Sequence, residues 1–203
     1  MENISELKDV VSIVSSIALV LIGISGLETW KRQLRGNTAR DVLRAVYKTR
    51  DAIRHVRNPF MSSAEHLVAL QKSGFDTEKI IKFDDELQKR ASGLAYQYRW
   101  EKIAEAMTKL NLAAFEAEVL WEKKVIVALN PLRKSVGELN WALQTYLEKR
   151  DGLRDIKMQE RVEKIVFGFE DLLEDNKTKN DFSNEVVNGI KEIEEFIRPR
   201  LKL

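Results

Sequence analysis

The sequence predicts an all-α protein: a single N-terminal transmembrane helix followed by a cytoplasmic helical bundle. Three observations carry this. Residues 10–27, VVSIVSSIALVLIGISGL, run without a charge, long enough to cross hydrocarbon as one helix. Further along, apolar residues return at alternating steps of three and four, the period of a buried helix stripe. No stretch keeps period-two alternation between turn residues, so no sheet is expected.

The leader, residues 1–9, is net acidic, with Glu2, Glu6 and Asp9 against Lys8. A secretory signal would carry its cations before the apolar core and a small-residue cleavage site after it. Here the cations come afterwards, at Lys31, Arg32 and Arg35, beside Trp30. Residues 10–30 therefore read as a membrane span rather than a cleaved signal or a core helix. Cations stay on the cytoplasmic side, so the N-terminus faces outward across an inner, cytoplasmic membrane. Along the span Ser12, Ser16, Leu19, Gly23 and Gly26 recur at steps of four, three, four and three, on one helical face. Small residues in such a stripe let helices approach closely, which points to self-association as a dimer or a ring.

Residues 31–57 form a basic juxtamembrane segment. They carry nine cations (Lys31, Arg32, Arg35, Arg40, Arg44, Lys48, Arg50, Arg54 and Arg57) against Asp41 and Asp51. The rest of the chain is net acidic, so the overall charge of +2 hides this concentration. Gly36 and Asn37 suggest a short break, and Thr38 to Asp41 a capping box opening an amphipathic helix. Asn58 and Pro59 stop it near Arg57. Val42, Ala45, Val46, Ala52, Ile53 and Val56 fall on its core side, and the cations fall on its outer side. Lys31, Arg32, Arg35, Arg40, Arg44, Lys48, Arg54 and Arg57 are accordingly expected to contact anionic lipid headgroups or phosphate. Contact with RNA, or tethering of nucleic acid, is the alternative use of the same face.

Residues 58–203 complete the bundle, packing with 38–57 as one domain. Ser62 to Glu65 opens a short helix ending near Ser73 and Gly74. Asp76 caps the next, with Ile80, Ile81, Phe83, Leu87 and Leu94 as core candidates and Ser92–Gly93 as a kink or an end. Trp100, Ile103, Met107, Leu110, Ala114, Ala117 and Trp121 give the clearest seam. Asn130 and Pro131 mark the next boundary, since proline is tolerated at a first helical position. Leu132, Val136, Leu139, Leu143 and Tyr146 follow. After Asp151 and Gly152 come Met158, Val162, Ile165, Phe169 and Leu172, then a polar loop over 174–181. A last helix from about Ser183 carries Val186, Ile190, Ile193 and Ile197, closed by Pro199.

Most chemistry is excluded by what is missing. The chain has no cysteine and two histidines, and it holds no phosphate-binding glycine loop and no HExxH, so no metal and no cofactor is expected. One constellation remains: Arg50, Asp51, three further residues, then His55. It resembles the R-x4-H signature of HEPN domains, helical bundles of which many are metal-independent RNases. The resemblance implies that Arg50 and His55 are catalytic, in a composite site lined by two paired protomers. His55 would act as general acid or base and Arg50 would stabilise charge on the phosphorane. An anchored bundle with this motif also looks like the membrane-bound accessory proteins of some RNA-targeting CRISPR systems, which assemble into membrane rings. The residues themselves support first a non-enzymatic, self-associating module, as scaffold, sensor or pore-like effector.

Overall fold

The structure, a computed structural model, describes residues 2–76, 84–148, 155–168 and 180–201, with side chains from residue 14 onward. Six helices and no strand occur among the described residues: α1 (Glu2–Val56), α2 (Ser63–Lys72), α3 (Asp85–Trp121), α4 (Lys124–Glu148), α5 (Ile156–Phe167) and α6 (Asp181–Leu201). The predicted all-α class is the observed one.

The first helix departs most from expectation. It is continuous for 55 residues, through Gly36 and Asn37, so the predicted break and capping box are not formed. Thr38 and Ala39 are buried at once after that point, followed by Val42, Ala45 and Val46. A glycine and an asparagine in a helix cost together about 1.5 kcal/mol. Burying that run of side chains outweighs the cost, and the unbroken helix already satisfies the amides a cap would serve.

Residues 38–56 of α1 pack against α3 and α6, and α4 completes the bundle by packing on α3 and α6. Contacts of Tyr47 with Glu194 and of Arg57 with Ser183 set α1 antiparallel to α6. His55 meets Lys102, while Asp41 and Arg44 lie beside Leu112 and Glu116, so α1 is antiparallel to α3 as well. The predicted seam of α3 is the core: Ile103, Leu110, Ala114, Ala117 and Trp121 are buried, with Trp100 and Met107 packed against them. Tyr96, Tyr146 and Phe167 stack edge to face in series, at 6.1 and 5.0 Å between ring centroids.

The helix ends follow local chemistry. Ser62 caps α2 through the Glu65 amide, and Gly74, at φ 88°, takes the left-handed turn after it. Asp84 caps α3 through the Leu87 amide at 2.7 Å. The expectation of a start at Asp76 with Ile80, Ile81 and Phe83 in the core falls on 77–83, outside the described residues; Leu87 and Leu94 are half-buried. Ser92 and Gly93 neither end nor interrupt α3, the Ser92 hydroxyl donating back to the Gln88 carbonyl.

The boundary expected at Asn130 and Pro131 lies earlier. The chain turns at Glu122, which has φ 56°, and α4 starts at Lys124 with Pro131 inside it. An interior proline costs about 3 kcal/mol. Val125, Leu129 and Leu132, all fully buried around it, hold the helix through that point. Pro131 is also where α6 comes closest. A Cβ added at Gly189 would lie 3.1 Å from the Pro131 Cβ and 3.3 Å from the Leu132 nitrogen. Val162 and Ile165 are core in α5 and Met158 is half-buried, while Phe169, Leu172 and most of the polar loop lie outside the described residues. α6 buries Val186, Ile190, Ile193 and Ile197 as predicted, but it continues past Pro199 to Leu201.

Candidate functional site

The outer part of α1 stands clear of the bundle. The described residues hold one helix long and apolar enough to cross a membrane, and none of its apolar window is buried. Ile17, Leu19, Val20, Leu21, Ile22, Ile24, Leu27 and Trp30 are all at least half exposed. Nothing lies within 4 Å of where a Cβ would stand at Gly23 or Gly26. Ser16 is on the same exposed stretch, and Ser12 lies on α1 ahead of the residues with described side chains.

The basic segment divides in two. Lys31, Arg32, Arg35, Arg40, Arg44, Lys48 and Arg54 are exposed, with Arg44 paired to Asp41 at 3.1 Å. Arg57 is the correction. Expected on the outer face, it is fully buried. Its Nε donates to the Ile165 carbonyl at 2.6 Å, Nη1 to the Ser183 hydroxyl at 2.9 Å and Nη2 to the Lys164 carbonyl at 3.1 Å. Its guanidinium also lies over the Phe182 ring, 4.8 Å from the centroid. A planar cation here meets carbonyls of the last turn of α5, where the helix dipole is negative, and joins them to the start of α6.

Arg50 and His55 are not brought together within one chain. Five positions along a helix turn the second side chain about 140° from the first. Arg50 donates to Asp51 at 3.0 Å and rests over Tyr47, whose hydroxyl donates to Glu194 of α6. Burial and the hydrogen bond to Glu194 raise the Tyr47 phenol above its ordinary value. His55 lies towards α3, its Nε2 3.3 Å from the Lys102 ammonium. Burial first, then Lys102 and Arg99, hold its pKa below the ordinary histidine value, with Glu65 opposing them. The imidazole is therefore neutral at physiological pH.

Behind His55 is a buried cluster that sequence reading missed. Arg99, 1 % exposed, grips both Glu65 oxygens at 2.6 and 2.9 Å. It also donates to the carbonyls of Asn58 and Phe60. One guanidinium thus fastens the 58–62 connection and α2 to α3. The Arg99 hydrogen bond holds the Glu65 carboxyl below its usual range despite partial burial. The only available signal was a lone arginine one residue before a seam tryptophan, which on its own reads as solvated.

Among the described residues no three acidic or histidine side chains stand close enough together to hold a metal. A cleft of about 520 Å³ between α4, α5 and α6 is lined by both signs of charge, including the Arg161–Glu138 pair at 2.7 Å. Its lining among the described residues includes no serine, threonine, tyrosine or histidine. Comparison of the chain with protein-family models, with curated proteins and with solved structures finds no match in any of the three.

Proposed function

We propose that this chain is a membrane-anchored, self-associating helical module: residues 10–30 cross a bilayer and present the bundle on the cytoplasmic side. It would act there as scaffold, sensor or pore-like effector, without catalysis. The uncovered apolar stretch of α1 carries this reading. Burying a large apolar side chain contributes roughly 1.5–3 kcal/mol. The eight exposed ones between Ile17 and Trp30 together forgo on the order of 15 kcal/mol, as much as a whole domain's net stability. A fold does not leave that in water, and hydrocarbon is the cover that suits a helix apolar all round. The cations following Trp30 orient it with the bundle inside.

Along an unbroken helix the headgroup collar narrows to Lys31, Arg32 and Arg35. Arg44 lies about 13 Å beyond Arg35 and Arg54 about 28 Å, roughly one and a half and three screening lengths above that collar. Insertion in a membrane is tested by alkaline carbonate extraction of the full chain. It should stay in the membrane pellet, and a variant with Leu21→Arg and Ile24→Arg should be released. Because the natural chain has no cysteine, single cysteines report topology. One introduced in the leader should react with an impermeant maleimide from outside, and one at Asn184 only after lysis. Extraction of the natural chain, or labelling of Asn184→Cys from outside, refutes the reading.

A second reading, the RNase implied by the R-x4-H resemblance, draws on His55. A neutral imidazole beside Lys102 can accept a proton. Since Arg50 and His55 diverge in one chain, this reading also requires a second copy.

A further inference from the structure

The outer surface of α3 changes character over its last turns. Leu112, Phe115 and Val119 are 61, 69 and 79 % exposed, and their spacing of three and four sets them on one face. Over the three preceding turns the same face is polar, with Glu101, Glu105 and Thr108 exposed. Beside this patch runs a groove of about 230 Å³ between α1 and α3, lined by Asp41, Arg44, Lys48, Lys109, Leu112 and Glu116.

The continuity of α1 says which way this surface faces. Asp41 and Arg44 follow Gly23 and Gly26 by eighteen residues each, about five full turns. The α1 flank of the groove therefore continues the azimuth of the small-residue stripe. Two copies paired through that stripe would bring their α1–α3 grooves and apolar patches to the same side.

We propose that the α3 face of Leu112, Phe115 and Val119, with the adjoining groove, is where a second copy of this chain docks around a two-fold axis. The inference rests on the membrane-anchored, self-associating reading. Lipid does not fit as the occupant. Asp41 stands about 21 Å along the helix beyond Leu27, and the groove offers headgroups no cationic surplus to bind, since Arg44 is paired to Asp41, Lys109 to Glu105, and Lys48 is offset by Glu116. A second copy fits, because beyond the Arg44–Asp41 pair the groove sets Lys48 on its α1 wall and Glu116 on its α3 wall, opposite charges that a two-fold axis can bring face to face across the interface. Three apolar side chains fall well short of the roughly 800 Å² per partner of a stable interface. Anchoring supplies the rest, since two helices already sharing a membrane meet at high effective concentration.

The test uses full-length chain in nanodiscs or mild detergent. Val119→Cys should cross-link into dimers with a short bismaleimide, and Asn188→Cys on α6 should not. Phe115→Asp with Val119→Asp, both at exposed positions that leave the core intact, should lower the dimer fraction at least tenfold while circular dichroism stays unchanged. Equal cross-linking at both positions, or an assembly indifferent to the double substitution, overturns the α3 face and leaves the anchored module standing. A strictly monomeric natural chain overturns both.

Discussion

Arg57 separates a structural cation from a lipid-binding one, and its replacement by methionine is the sharpest test of the fold. Methionine keeps the length and apolar contact of the stem but donates nothing. The carbonyls of Lys164 and Ile165 and the Ser183 hydroxyl then lose the guanidinium that now reaches them. Each hydrogen bond to a charged donor contributes about 1.5–3 kcal/mol, and a buried group left unmade costs about 1–3. Removing an unfavourable buried charge offsets part of that, so a net loss of about 3 kcal/mol is expected. For a chain of this size, about 3 kcal/mol lowers the unfolding temperature by roughly 6–12 °C. Lysine at the same position keeps the charge but not the planar fork, and should lose about half as much. The assay is thermal and urea unfolding of the full chain in detergent, followed by far-ultraviolet circular dichroism, in parallel with binding to anionic vesicles. Unchanged stability in the methionine variant, with weakened vesicle binding, would refute the latch and return Arg57 to the surface.

Four further outcomes are expected. Arg99→Met should destabilise by about 3–5 kcal/mol, more than Glu65→Gln, because it also strands the Asn58 and Phe60 carbonyls; equal losses in urea titrations would contradict this. Acidification should weaken the fold in two stages. The folded-state pKa of His55 is depressed, so its contribution is full above about pH 6.5 and fades as pH falls through the lower folded value. Glu65, also depressed, loses its contribution only below about pH 4, and His55→Gln should flatten the first stage alone. Gly189→Ala should cost about 1 kcal/mol in spite of alanine's better helix propensity, since a proline ring and a backbone nitrogen are poor at giving way; a gain in unfolding temperature would contradict the close approach. The purified full chain should leave RNA intact in EDTA, and cleavage that disappears in His55→Ala would replace the non-catalytic module with a paired RNase.

The sequence disclosed what depends on period and hid what depends on meeting. The stripes of α3, α4 and α6 were visible because burial at steps of three and four leaves its mark in one helix alone. Helix boundaries were misplaced where a local signal opposed tertiary packing. Gly36 and Asn37 favour a break, and Pro131 favours a start. In each case fully buried neighbours, Ala39 and Val42 or Leu129 and Leu132, decide the outcome. Arg57 and Arg99 were illegible for another reason. An arginine on a helix looks the same whether it faces water or a ring of carbonyls 108 positions away, and only the fold supplies the carbonyls. The continuity of α1 matters most for the proposed pairing, because one unbroken rod fixes the rotation of the bundle relative to the apolar stretch. A hinge at Gly36 would let the α3 face turn independently of whatever the glycine stripe contacts. With no hinge, pairing at one end commits the other. Inserting a single alanine after Gly36, which turns the bundle by about 100° against the apolar stretch, should therefore abolish cross-linking through Val119→Cys. Inserting about one heptad, which nearly restores the phase, should recover it.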